Sequence, residues 1–237
     1  MASRIFLTAE WRNLVAFTYA VPSSVLLPLL PSSLELDLWQ GQALVSLVGF
    51  QFLDTRVIGW RAWFHRDFPE VNLRFYVRRE TAEGIRRGVV FIKEIVPKPA
   101  VASLARILFG ENYACLPMQS AADAGRSARY EWKFRGRENA IAVCAEGPAS
   151  LPAADSLESF ILEHHWGYSR WKSGGCLEYR VERPPWRVYR VTADEATVDA
   201  AGIYGPEFAD ALAAPRVSVI FAEGSPVSVS FGTRVRN

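Results

Sequence analysis

The sequence predicts an α+β chain that is mainly antiparallel β, its strands closed into a barrel or sandwich with a few short helices beside it. Three observations predict this. Residues 68–78, FPEVNLRFYVR, alternate strictly: Val71, Leu73, Phe75 and Val77 fall on one face, Glu70, Asn72, Arg74 and Tyr76 on the other. Residues 43–53, ALVSLVGFQFL, are almost continuously apolar, as in a strand covered on both sides. Turn signals separate about ten such segments, and that many strands need closure to hide their edges.

The totals set the outer limits. A length of 237 residues, half of them hydrophobic, suits one large β-rich domain, and we expect a single domain over 1–237. The net charge of +2 comes from scattered arginines without a basic stripe, so nucleic acid is not an expected partner. Cys115, Cys144 and Cys176 are odd in number and widely spaced, which argues against a disulfide framework or a zinc module. The uncharged stretch 13–34 is interrupted by Pro22, Pro28 and Pro31, so a spanning helix is not expected and a cytoplasmic chain is.

Taken in order, 14–21 reads as a strand that Pro22 ends, followed by a short helix over 23–30. A short strand over 34–38 leads through Trp39-Gln40-Gly41 to the apolar strand, inside which Gly49 marks a bulge or a close approach. Residues 54–68 form a loop with Trp60, Trp63, Phe64, His65 and Phe68, and so many rings are expected to fold over something. The alternating strand then pairs with 89–96 through a turn at 82–84. Pro97-Lys98-Pro99 opens a helix through Phe109, with Val101, Leu104, Ala105 and Leu108 on one stripe and Gly110 at its end. Extended structure resumes over 113–118. A second hairpin joins 128–134 to 140–145, and 147–154, with Pro148 and Pro152, reads as a linker. Asp155 and Glu158 suit a capping box for a helix over 155–165. Strands follow near 168–172, 176–181 and 187–191, then a short helix over 206–213 and a final hairpin of 216–222 with 227–231.

The polar row on the alternating strand is the main candidate for chemistry. Glu70 and Arg74 stand about 13 Å apart along a strand, too far for a simple ion pair, so each needs water, a neighbouring strand or a ligand. The row either faces solvent or lines a cavity. Other motifs carry less. His164 continues an apolar helix stripe, and His164, His165 and His65 have no metal-ligand spacing, so no metal site is expected. There is no GxSxG elbow and no phosphate-binding or dinucleotide glycine pattern, and no cofactor is expected. Of four lysines, Lys93 lies in a strand beside the polar row and could serve amine chemistry; a surface lysine fits the same pattern.

The run PEVNLRFYV, followed by the strand VVFIKEIV, resembles the bacterial YqjF-like family, domain of unknown function 2071. ARILFGENYACLPM and FILEHHWGY followed by VERPPW fit the same family, so that the resemblance extends from about Trp11 to Phe231. That family is similar to the acetoacetate decarboxylase superfamily, which implies a cone-shaped antiparallel β-barrel around a central cavity. The resemblance implies a cavity glutamate at Glu70. Ala114 and Cys115 stand where that superfamily's paired lysines are expected, so Schiff-base decarboxylation is not carried over.

What the resemblance does carry is the cavity, with Glu70, Asn72, Arg74 and Tyr76 on one strand, Tyr113 from the next segment, and His164 and Tyr168 as wall residues. A small organic acid or carbonyl compound is the expected ligand, with Arg74 on its anionic end and Glu70 as acid or base. A non-enzymatic binding or sensing barrel is the alternative, and an interface through the aromatic loop a third. Membrane is not an expected partner, and assembly into a homo-oligomer stays open.

Overall fold

The computed structural model describes residues 4–61, 66–171 and 175–235. Trp63, Phe64, His65 and Lys172 lie outside the described residues.

The first half of the chain contributes four long strands and two of only two residues. They are β1 (Ile5–Val21), β2 (Glu35–Leu36), β3 (Ala43–Val57), β4 (Trp60–Arg61), β5 (Phe68–Thr81) and β6 (Gly84–Val96). Helix α1 (Ser23–Leu26), prolonged by a 3-10 turn to Leu29, follows β1, and α2 (Pro99–Leu108) follows β6. The second half holds β7 (Tyr113–Cys115), β8 (Met118–Asp123), β9 (Ser127–Phe134), β10 (Arg137–Ser150), α3 (Leu157–Leu162), β11 (Trp166–Arg170), β12 (Cys176–Glu182) and β13 (Val188–Thr197). Helices α4 (Ala200–Ile203) and α5 (Ala209–Ala213) precede β14 (Ser218–Ser230) and β15 (Thr233–Val235).

Pairing closes these strands into a ring. Around it run β1, β3, β5, β6, β11, β12 and β14, and β14 returns to β1. Closure removes the exposed edges that an open sheet of this size would present. The pairing is antiparallel except where β6 meets β11 and β7. A second layer, β13–β10–β9–β8, branches from β14 and folds over the outside of the ring.

This arrangement gives the two faces of β5 different surroundings. Val71, Leu73, Phe75 and Val77 join Phe17, Leu47, Tyr130, Trp132 and Ile141 in the main core between ring and outer layer. The other face looks into the ring. Gly49 is the close approach its position suggested: a Cβ there would lie 2.7 Å from the Tyr130 ring.

Several boundaries differ from the sequence reading. Residues 216–231 make no hairpin; β14 runs unbroken past β1, with Gly224 and Pro226 opposite Arg12 and Glu10. Gly224-Ser225-Pro226 has the composition of a turn, but it is a bend. Gly224 takes φ +78°, and a Cβ there would stand 1.9 Å from the Trp11 carbonyl oxygen. Likewise 147–150 continues β10 instead of forming a linker, because β13 pairs with it as far as Ser150. The α3 cap is Ser156, whose Oγ accepts from the Ser159 N–H at 3.1 Å, in place of Asp155. At the aromatic loop, the β3–β4 hairpin leaves Trp60 81% exposed, so this ring covers nothing.

Candidate functional site

The interior of the ring holds a cavity of about 300 Å³, at the small end of the range for ligand sites. Its greasy wall comes from Phe50 and Phe52, alternating on β3, and from Trp11 and Leu14 on β1, brought to one face by the irregularity at Asn13, while α2 lays Val101 and Leu104 across one side. Glu70, Asn72 and Arg74 enter it from β5, Tyr113 from β7, and His164 from the segment after α3. The polar row therefore faces the ring interior.

Tyr76 and Tyr168, the other two expected wall residues, are not among its lining. Tyr76 shares the face of Glu70, but Phe160 and His164 fill the ring at its level. The Tyr76 ring packs 4.8 Å from His164, and its hydroxyl bonds Ser46. On β11 alternation turns Gly167 toward the cavity and Tyr168 into the main core.

Five polar residues join the site that the sequence reading did not place there: Thr55, Glu94, Glu111, Tyr179 and Arg183. Glu94 arrives through a β-bulge. The β5–β6 register steps from Leu73↔Lys93 to Arg74↔Phe91, leaving Ile92 unmatched and re-phasing the strand. Uniform alternation would put Phe91 and Glu94 on opposite faces, yet both line the cavity. Lys93 is sent outward by the same shift, where its ammonium donates to the Ile203 carbonyl. Glu111 comes from the turn after α2, and Tyr179 and Arg183 come from β12 and the segment just beyond it.

At one end of the cavity lies a carboxyl cluster. Asn72, Glu94 and Tyr113 are cross-strand neighbours over β5, β6 and β7. Glu70 accepts from Asn72 Nδ2 at 3.0 Å and from the Tyr113 hydroxyl at 3.1 Å, while the Tyr179 hydroxyl donates to Glu111. Burial dominates their proton affinities, because a buried carboxylate loses its hydration. It pushes Glu70 up to about 7, against the pull of Asn72, Tyr113 and Arg74. It pushes Glu111 up to about 8, and Glu94 well above the usual carboxylate range with help from the charges of Glu111 and Glu70. Both tyrosines are driven far above their ordinary value by burial and by these carboxyls, so they remain donors.

The other groups are basic. Arg183 is held over the Trp186 ring at 3.8 Å and donates to the Leu162 and Pro184 carbonyls, its pKa pushed down to about 10 by burial. His164 spans the Phe160 carbonyl at 2.7 Å and Asp37 Oδ2 at 3.0 Å. Arg74 differs: among the described residues it makes no hydrogen bond or ion pair, and its Nε is buried without a partner. Trp11 Nε1, Thr55 Oγ1, Asn72 Oδ1 and Glu94 Oε2 are also buried, unpartnered and on residues lining the same cavity. Buried polar groups normally find partners, so a concentration of unmade bonds around one cavity fits a polar ligand.

No lysine among the described residues lines the cavity. Ala114 and Cys115 follow Tyr113 along β7, paired with Ile95 and Val96, and neither lines it either. Nor do the described residues hold a cluster of three or more His, Cys, Asp or Glu placed to bind a metal ion.

A closed, mainly antiparallel ring around a central cavity, with a β layer outside it, is the fold of the acetoacetate decarboxylase-like enzymes. The structure is similar to acetoacetate decarboxylase from Legionella pneumophila, with a TM-score of 0.68 and 12% identity over 98% of this chain and 88% of that one. It is also similar to the enduracididine biosynthesis enzyme MppR in complex with pyruvate, at a TM-score of 0.63 and 13% identity over 99% and 91% of the two chains. An acetoacetate decarboxylase-like enzyme from Sphingomonas wittichii RW1 gives a TM-score of 0.61 and 14% identity, covering 100% and 94%. The chain itself belongs to the DUF2071 family of uncharacterized conserved proteins, whose model matches residues 8–226. It is 30% identical over 209 residues to the uncharacterized protein YqjF of Bacillus subtilis strain 168, covering 83% of this chain and 82% of that one.

Proposed function

We propose that the cavity binds a small organic acid or carbonyl compound, with Arg74 holding the carboxylate and Glu70 acting as acid or base on the bound molecule. The observation that carries this is the state of Arg74, a guanidinium lining a cavity with a buried, unpartnered Nε and no ion pair among the described residues. Its planar fork matches a carboxylate, and a ligand carboxylate would make the bonds the protein does not. Glu70 stands two residues along the same strand face with its carboxyl pushed up to about 7, which suits proton transfer near neutrality. Tyr113 and Asn72 fix its orientation through their hydrogen bonds to it.

The relatives lend support at the level of ligand class. One solved structure of similar fold is complexed with pyruvate, and others are acetoacetate decarboxylases, named for a small keto acid. With no lysine lining the cavity among the described residues, the reaction drawn here is proton transfer by Glu70 next to a carbonyl, a lyase or isomerase type of step. A binding or sensing barrel would use the same Arg74 anchor without turnover.

Thermal unfolding with a panel of small carboxylates and keto acids, pyruvate and acetoacetate included, tests the reading. A ligand that stabilises the wild type should bind Arg74→Ala about a hundredfold more weakly, the loss expected for a bidentate charge-assisted pair. Stabilisation that persists unchanged in Arg74→Ala removes it as the anchor. For a ligand that binds, turnover lost in Glu70→Gln supports the enzyme, and binding without turnover the sensor.

A further inference from the structure

Asn72 and Glu94 face each other in register across β5 and β6. Directly opposed side chains on a sheet stand within about 5.5 Å of one another at Cβ. Both residues are at least 98% buried, both line the cavity, and among the described residues each keeps one oxygen without a hydrogen-bond partner, Asn72 Oδ1 and Glu94 Oε2. Asn72 Oδ1 is an unmet acceptor, and Glu94 beside it, once ionised, is a second, a pair that a ligand bringing N–H groups would satisfy. A second carbonyl oxygen in that place would set acceptor against acceptor at Asn72. Arg74, the proposed carboxylate anchor, follows Asn72 on the same strand face, about 6.6 Å further along.

We infer that the cavity is built for an organic acid that also carries a cationic nitrogen, with its carboxylate on Arg74 and its ammonium or amidinium lodged between Asn72 and Glu94. The inference rests on the proposed role of Arg74 and narrows the ligand class at that same site. An acid whose nitrogen lies several carbons from its carboxylate, as in an ω-amino or guanidino acid, fits two anchors spaced along one strand. The surroundings favour a cation there. Glu70 stands beside Asn72 on β5, Glu111 lies on the turn before β7, and Tyr113 and Tyr179 present hydroxyl oxygens from β7 and β12. The nearby rings of Trp11 and Phe50 offer further attraction to a cation. Burial and the neighbouring carboxyls raise the proton affinity of Glu94, and a cation lodged against it favours the ionised form, so binding draws a proton from this cluster to solvent.

A matched pair of ligands tests this without altering the protein. Hexanoate and 5-aminopentanoate have the same length and differ only in a terminal methyl against an ammonium. In calorimetric titrations at pH 8 the amino acid should bind at least about tenfold more tightly, as expected for charge-assisted hydrogen bonds. Repeating the titration in buffers of different ionisation enthalpy should reveal net proton release for the amino acid and none for hexanoate. In Glu94→Gln the advantage of the amino acid should largely disappear, and with it the proton release. Equal affinity of the two in the wild type, or an advantage that survives in Glu94→Gln, overturns the inference. Binding of pyruvate with no binding of either probe overturns it while leaving the proposed function in place; no binding of any acid overturns both.

Discussion

Asp37 and Glu94 are almost equally hidden, at 6% and 2% exposure, yet their carboxyls are driven in opposite directions. Burial pushes Asp37 upward, but hydrogen bonds from His164 and from both arms of Arg87, at 2.6 and 3.2 Å, outweigh it and hold it below the usual range. Glu178 on the ring is likewise paired with two arginines, Arg79 and Arg86. Glu94 meets two other carboxyls instead of an arginine, and its proton affinity rises. Burial alone therefore does not separate a structural charge from one that a ligand would use. The partners do. Asp37 and Glu178 join neighbouring elements of the ring, whereas Glu70, Glu94 and Glu111 are kept among themselves around a cavity.

This contrast can be broken in several places. The largest expected effect is on stability: Asp37→Ala leaves His164 buried and Arg87 without its acid, and should lower the free energy of unfolding in urea by about 3 kcal/mol. Loss of less than about 0.5 kcal/mol, the range of ordinary surface changes, would mean that this pair is incidental.

Next comes the pH profile. Glu70 is raised from 4.5 to about 7, so the native state binds more protons than the unfolded state between these values, and stability falls as pH rises through that window. Glu111 and Glu94 shift in the same direction and add to it, so the fall should be at least on the order of 3 kcal/mol, and Glu70→Gln should reduce it. Asp37 tilts the profile the other way, since its contribution is present above about 3.8 and is lost as acid protonates it. A profile that rises from pH 4.5 to 8 would contradict the assignment.

The smallest effect is expected outside both regions. Trp60→Ser, on the exposed β3–β4 hairpin, should change stability by about 0.5 kcal/mol or less and leave ligand binding alone. A change of assembly state in that variant, seen by light scattering, would instead favour the interface reading of the aromatic loop.

Much of the fold was legible in local patterns. The alternation at 68–78 separated core face from polar face correctly, because both faces of β5 are covered and each by a different environment. Patterns failed where one residue re-phases a strand or bends it. The unmatched Ile92 hid Glu94, since uniform alternation sets it apart from Phe91, which also lines the cavity. Gly224-Ser225-Pro226 looked like a turn, and only the continuous pairing of β14 with β1 keeps it a strand.

The site was legible in the same uneven way. Glu70, Asn72 and Arg74 stand on one strand and announced themselves together. Tyr179 and Arg183 reach the cavity because β12 closes the ring onto β14, and Glu111 because the turn after α2 returns β7 to β6, long-range events that no local spacing records. Tyr168 sits one residue from a position that does face the cavity, and the strand's own alternation turned it away. A useful signal in the sequence was an acid in the run VVFIKEIV, where Lys93 is the one other polar residue, which describes Glu94.

The most direct test is a carbon NMR titration of the glutamate side-chain carboxyls in the wild type, Glu70→Gln, Glu94→Gln and Glu111→Gln. The expected result is Glu70 titrating near 7, Glu111 near 8 and Glu94 well above the ordinary carboxylate range, each assigned by its loss in one variant. Each substitution should also move the two that remain, because the groups share protons. If every glutamate instead titrates within the ordinary range around 4 to 5, the cluster is hydrated and unconnected, and the buried acid–base site proposed here does not exist.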